Sequence, residues 1–157
     1  IAAFGQANTT WTYAANTVML AANTAYAQAN VANNTANSTC IAFVIDGGGT
    51  AITAGEKGCL EIPFGCDIVR WTILADLSGT ANIDIWSSNY AFLPTAANTM
   101  TGNLGMTLSA SRSNQSTIMT NWRGTRINAG NVLCYNVQST ATITRATISL
   151  YCNKLGH

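Results

Sequence analysis

The period of this sequence changes from seven to two at residue 40. From Trp11 to Ser38 the sequence repeats every seven residues, as WTYAANT, VMLAANT, AYAQANV and ANNTANS. Asn recurs at 16, 23, 30 and 37, and Ala at 15, 22, 29 and 36. A seven-residue period returns one stripe to the same side of a helix, because two turns at about 3.5 residues each close on it. With Ala15, Ala22, Ala29 and Ala36 at position a, position d is Phe4, Trp11, Val18, Ala25 and Ala32, and the Asn series falls at b, outside the seam. The pattern predicts a helix over residues 2–38 and a stalk segment of 1–39.

Such a helix does not stand alone. Asn and Thr are mediocre helix formers, and isolated helices are marginal even with good ones. A buried Ala contributes on the order of 0.8 kcal/mol, whereas ordering each backbone residue costs roughly 1–2 kcal/mol. Association of several copies, an apolar flank (Tyr13, Met19, Leu20, Tyr26) and a second oligomerising domain must therefore share the stabilisation. Small seam residues let helices approach closely, as in a thin rod. The competing reading is a flexible low-complexity Ala/Asn/Thr linker. The sustained register, with a large residue at d in the first three heptads, favours the rod.

From Cys40 the period is two. Ile41, Phe43 and Ile45 alternate, as do Leu60, Ile62 and Phe64; Val69, Trp71, Ile73 and Ala75; Ala81, Ile83 and Ile85; Leu133, Tyr135 and Val137; and Ala146, Ile148, Leu150 and Cys152. QSTIMTNW (115–122) reads as a further strand. Turn chemistry (DGGGT, AGEKG, IPFG, LSGT, NAGN) separates these runs. A mainly β protein follows, with residues 40–157 as one jelly-roll-like β-sandwich. The stretch 88–103 is the longest without alternation and reads as a surface connection, with a short helical turn beginning near Pro94.

Composition narrows the function. Charged residues are 8 % of the 157, and the net charge is +1, so nothing steers the chain to nucleic acid. No apolar run approaches the roughly 18 residues of a membrane span. The chain opens on Ile in mid-repeat, which reads as a piece or processed form of something longer. The five cysteines (40, 59, 66, 134, 152) are odd in number and lack a CxxC pair, a poor match to a disulfide framework or a zinc site. Lying in strand-like runs, they read as reduced structural thiols of a protein assembled in a reducing cytoplasm, with Cys59 and Cys66, flanking a hairpin, as the pair best placed to bond. The six carboxylates include no spacing that nominates a glycosidase pair. Asp46 and Asp76 read as turn caps. The lone His157 makes a Ser-His-Asp triad improbable. No catalytic residue, cofactor or metal site is expected.

The Ala/Asn repeats, AYAQAN and AANTAYAQANVANNTA, resemble those of bacteriophage tail-fibre and other fibrous phage proteins. FVIDGGGTAITAGEKGCLEIPFGCDIVRWTILADLSGTANIDIW, NYAFLPT and the later INAGNVLCYNV and ATITRATISLYC resemble a β domain near the C-terminus of many phage and prophage structural proteins. The resemblance implies a homotrimeric virion fibre, a helical shaft ending in a β knob that faces the host. The a and d positions above would be its trimer seam, and other tail, baseplate or capsid proteins would join it upstream of Ile1. Two functions compete: a receptor-binding tail-fibre tip, and a capsid fibre or decoration protein. A depolymerase tailspike is a distant third.

If the knob binds a host glycan or protein, its contacts are expected from loops, with strand side chains committed to the core or the trimer. Two regions mix aromatic, amide and guanidinium groups suited to saccharides. One holds Asn89, Tyr90 and Phe92. The other holds Arg112, Asn114 and Gln115 and, past Trp122, Arg123 and Arg126. Trp86 and Trp122, beside strand alternation, read as packing residues.

Overall fold

The structure, a computed structural model, describes the backbone of residues 2–102 and 104–155, together with their side chains outside 2–10 and 34–36. The side chains of Phe4 and Ala36, and His157, lie outside the described residues. Two compact units make up the chain, Ile1–Asn37 and Ser38–His157.

The first unit is one helix, α1 (Ala2–Asn37), about 54 Å long at 1.5 Å per residue. Thr17 and Thr24 turn their hydroxyls back to the carbonyl oxygens of Tyr13 and Leu20, each at 2.9 Å, so these β-branched residues are satisfied within the helix. Its apolar side chains stand in solvent in the single chain: Trp11 is 77 % exposed and Tyr26 72 %, with Tyr13, Val18, Met19, Leu20 and Val31 similar.

The second unit is mainly β. Its strands are β1 (Ser38–Asp46), β2 (Gly55–Ile62), β3 (Cys66–Asn89), β4 (Met106–Ser116), β5 (Arg126–Ile127), β6 (Asn131–Ala141) and β7 (Arg145–Lys154). They form one curled antiparallel sheet in the order β1-β7-β3-β6-β2, with β4 and β5 also paired to β3. The first half of β3 runs beside β7, its second half beside β6, and β4 accompanies both halves.

Two of the expected strands, DIVRWTILAD and TANIDIWS, are therefore one, and LSGT is not a reversal. It marks the point where β3 exchanges partners: pairing with β7 ends at Ala75 and pairing with β6 begins at Thr80. A side chain at Gly79 would run into the carbonyl oxygen of Ala141 and the side chain of Ile143. Glycine there lets the strand pass close under the β6–β7 turn instead of turning back.

Asp76, in the same bend, holds that turn. Its carboxylate accepts the Thr144 hydroxyl, the Thr144 amide at 3.1 Å and the Arg145 amide at 3.0 Å. These bonds, the Thr144 hydroxyl first, lower its pKa from 3.8 to about 2. Asp46 is lowered by the Gly48 amide and Arg145, and Asp67 by Arg126. A carboxyl group whose folded pKa lies below its unfolded one adds stability that is complete above the unfolded value and is lost as pH falls through the folded one. Thermal stability should thus be flat above about pH 5 and decline from about pH 4 toward pH 2. Asp76→Asn should lower the plateau and flatten the decline; an unchanged acid limb would contradict this assignment.

Alternation elsewhere matches the burial. Ile41, Ile45, Ile62, Trp71, Ile73, Ile83, Ile85, Leu133, Val137, Ile148 and Leu150 are buried in one core. Val69 departs from it. A register shift between Ile68 and Arg70 turns Ile68 inward and leaves Val69 exposed, because a bulge inverts the faces on either side of it. QSTIMTNW is also not a strand. β4 ends at Ser116, and a non-strand connection follows as far as Thr125.

The reduced-thiol expectation is corrected as well. Cys59 and Cys134 form a disulfide at directly opposed positions of β2 and β6. Cys66, the expected alternative partner, is a free buried thiol, as is Cys152, while free Cys40 is exposed. A hydrogen bond to Cys66, together with burial, pushes the Cys152 thiol well above its usual range.

Candidate saccharide-binding surfaces of the β domain

The connection from β3 to β4 is fastened from beneath and presents its apolar tip outward. Asn89 ends β3 and accepts the Phe92 amide on its side-chain oxygen at 2.9 Å and on its backbone carbonyl at 3.3 Å, which closes a four-residue turn over 89–92. Tyr90 (73 %) and Phe92 (74 %) are then exposed, and Leu93 is exposed beside them. The expected helical turn is a 3-10 turn at Ala96–Asn98.

Below it lies Asp84, 4 % exposed, whose carboxylate accepts Trp86 Nε1 at 2.7 Å, the Thr99 hydroxyl at 2.6 Å and the Thr101 hydroxyl at 2.5 Å. Trp86 is half-buried, with its polar edge satisfied by Asp84. Asp84→Ala would leave these donors unpaired at about 1–3 kcal/mol for each that stays buried. The variant should show a lower Tm and rapid proteolytic cleavage within 90–105. Unaltered cleavage would contradict Asp84 as the anchor.

The second expected cluster is not a loop. Arg112, Asn114 and Gln115 lie on β4. Arg112 Nε donates to the Ala75 carbonyl at 3.4 Å. The Asn114 amide donates to the Thr107 carbonyl at 2.7 Å and accepts the Gln115 amide at 2.9 Å, so Asn114 is occupied within the strand. Arg126, on β5, makes a two-point ion pair with Asp67 at 3.0 and 2.9 Å, and its charge is compensated. Arg123 follows the partly buried Trp122, which packs on the core. Its amide donates to the Met100 carbonyl at 2.8 Å, which joins this connection to the base of the 90–105 loop.

Outward strand side chains are not all committed to packing. Across β1, β7, β3 and β4 the register aligns Ala42, Ser149, Thr72 and Gln115 in one row and Val44, Thr147, Leu74 and Ser113 in the next. Leu74 is 54 % exposed. Three adjoining clefts run along this face. One of about 410 Å³ holds Val69, Arg70, Thr117 and Tyr151. A second of about 350 Å³ is lined by Arg70 and residues 115–118, and a third of about 390 Å³ by Thr72, Leu74, Ser113, Asn114 and Gln115. Arg70 and Tyr151 were not among the residues expected from sequence. The alternation of Arg70, Thr72 and Leu74 against Trp71, Ile73 and Ala75 was the available signal that they face outward.

Glu56, Cys59 and Cys134 bring their ligand atoms within 4.8 Å of one another. With both sulfurs joined to each other the thiolates that a soft metal needs are not present.

No protein-family model matches the sequence, and no curated protein matches it. Among solved structures, the chain is similar to the capsid of Ralstonia phage GP4, with 18 % identity over 76 % of this chain and 86 % of that one, at a TM-score of 0.49. It is also similar to the Kashmir bee virus particle (13 % identity, 76 % and 90 % covered, TM-score 0.39). A third similarity is to the capsid of the Helicobacter pylori bacteriophage KHP30 (9 %, 76 % and 94 %, TM-score 0.37). At these identities the likeness does not extend to function.

Proposed function

We propose that this chain is a virion structural protein, assembled in the host cytoplasm, that forms the shaft and knob of a homotrimeric phage tail fibre and attaches to the host surface. The observation that carries this reading is α1. A 36-residue helix with Trp11, Val18, Ala15, Ala22, Ala25, Ala29 and Ala32 all exposed in the single chain carries an apolar stripe that further copies would cover. Its seven-residue spacing is that of the a/d seam of a coiled coil, which supports this reading. The jelly-roll-like knob would then present three copies of the Tyr90–Phe92 tip, so that weak individual contacts gain avidity. No enzymatic role is included. Asp46 and Asp67 are in ion pairs, and Asp76 and Asp84 accept donors from turns and loops.

The test is adsorption of the full chain to the bacterium infected by its parent phage. The unaltered protein should bind cells and compete with infection, and Tyr90→Ala/Phe92→Ala should reduce both at least tenfold. A folded, assembled protein that neither binds nor competes would replace this reading with that of a capsid fibre or decoration protein.

A further inference from the structure

Among the described residues Arg70, Arg123 and Lys154 are the cations of the β domain without a side-chain hydrogen bond or ion pair, and of these only Arg70 lines the clefts. Arg126 and Arg145 are paired with Asp67 and Asp46. Arg112 donates to a backbone carbonyl, Lys57 to Thr53 and Ala54, and Lys154 lies over the Phe64 ring. Among the described residues Arg70 has neither a carboxylate nor a carbonyl partner. Its guanidinium carbon lies 3.8 Å from the centre of the Tyr151 ring, and its Nε is enclosed without a hydrogen-bond partner. Stacking on the ring fixes the guanidinium plane and strips water from one side of it. The charge is thereby held in place, partly desolvated and uncompensated, an arrangement that an anion completes.

The surroundings define the rest of the ligand. Arg70 is shared by the first two clefts and Gln115 by the second and third, so the three are continuous. None is lined by a carboxylate. Gln115, Thr72 and Ser113 supply neutral donors and acceptors, and Val69 and Leu74 supply small apolar faces. One fixed cation among hydroxyls and an amide fits one acid group on an otherwise polyhydroxylated molecule. A nucleic acid would call for several cations along a backbone track, which this face lacks.

We propose that this groove binds an acidic saccharide, with a sugar carboxylate on Arg70 and neighbouring hydroxyls on Gln115 and Thr72. For its biological setting the proposal rests on the host-attachment reading, but binding of a free sugar is measurable whether or not the chain adsorbs to cells.

The experiment titrates the full chain with sialyllactose against lactose, and with galacturonic acid oligomers against galactose oligomers. A phosphorylated sugar and an acidic peptide serve as further arms. At least one carboxylated sugar should bind in the millimolar range or tighter, at least tenfold better than its neutral counterpart. Arg70→Gln should lose about tenfold or more with an unchanged Tm, as expected for loss of a charge-assisted contact. Gln115→Ala, at an exposed position, should weaken binding with the fold intact. Raising the salt concentration should weaken the acidic sugar selectively. Equal binding of neutral sugars, full binding by Arg70→Gln, preference for the phosphate or the peptide, or no binding in any arm would overturn the proposal. Cell adsorption that survives such a result would leave the attachment reading standing on the Tyr90–Phe92 tip alone.

Discussion

Replacing Ala22 and Ala25 with glutamate is expected to dissociate the assembled protein and to unfold its helix, while the β domain remains intact. Each trimer would gain six carboxylates at adjacent a and d positions, where methyl groups otherwise allow close approach. Like charges facing one another across an apolar seam repel, and each loses hydration. The seam has little to offset this, since each buried Ala contributes only on the order of 0.8 kcal/mol. The separated helix would not persist. It carries no acidic residue in its first turn and no basic residue in its last, and it is rich in Asn and Thr, which favour helix weakly. Circular dichroism should lose most of its helical signal as the sedimenting mass falls. The β domain, a separate compact unit, should keep its own thermal transition. A variant that sediments and absorbs like the parent would show that Ala22 and Ala25 are not in the seam.

The second large effect concerns the Cys59–Cys134 bond. It joins residues 75 apart in sequence and ties edge strand β2 to β6. Closing a loop of that length in the unfolded chain is worth about 4 kcal/mol in the chain-entropy account. Cys59→Ser/Cys134→Ala should therefore lower the Tm of the β domain by about 10 °C or more. A reductant should lower the parent's Tm by a similar amount and leave the variant's unchanged. Thiol counting under denaturing, non-reducing conditions should find three free groups per chain, Cys40, Cys66 and Cys152. Five free groups would contradict the bond.

These two cases show what was legible in the sequence. The seven-residue period identified α1, and alternation identified most strand cores, because both are local consequences of where side chains point. Pairing is not local. Cys59 and Cys134 meet only because β2 and β6 align in one register, and an odd cysteine count concealed it. LSGT has the composition of a turn, yet its Gly79 is used for a close approach beneath Ala141 and Ile143. The same limit applies to the candidate surfaces. Tyr90 and Phe92 were legible because a long connection with aromatic residues lies on the surface. Arg112, Asn114 and Gln115 read as loop residues because ASRSNQS has little hydrophobic alternation, whereas β4 draws its register from β3. Arg70 acquires its character only from Tyr151, a residue 81 positions away in a strand that pairs beside it.

If α1 is a shaft covered by two further copies of itself, sedimentation equilibrium of the unaltered chain should give a single species of three times the 16.5 kDa chain mass, with the helical signal of α1 present at the same concentration. A species of 16.5 kDa that keeps a folded helix on dilution would contradict it.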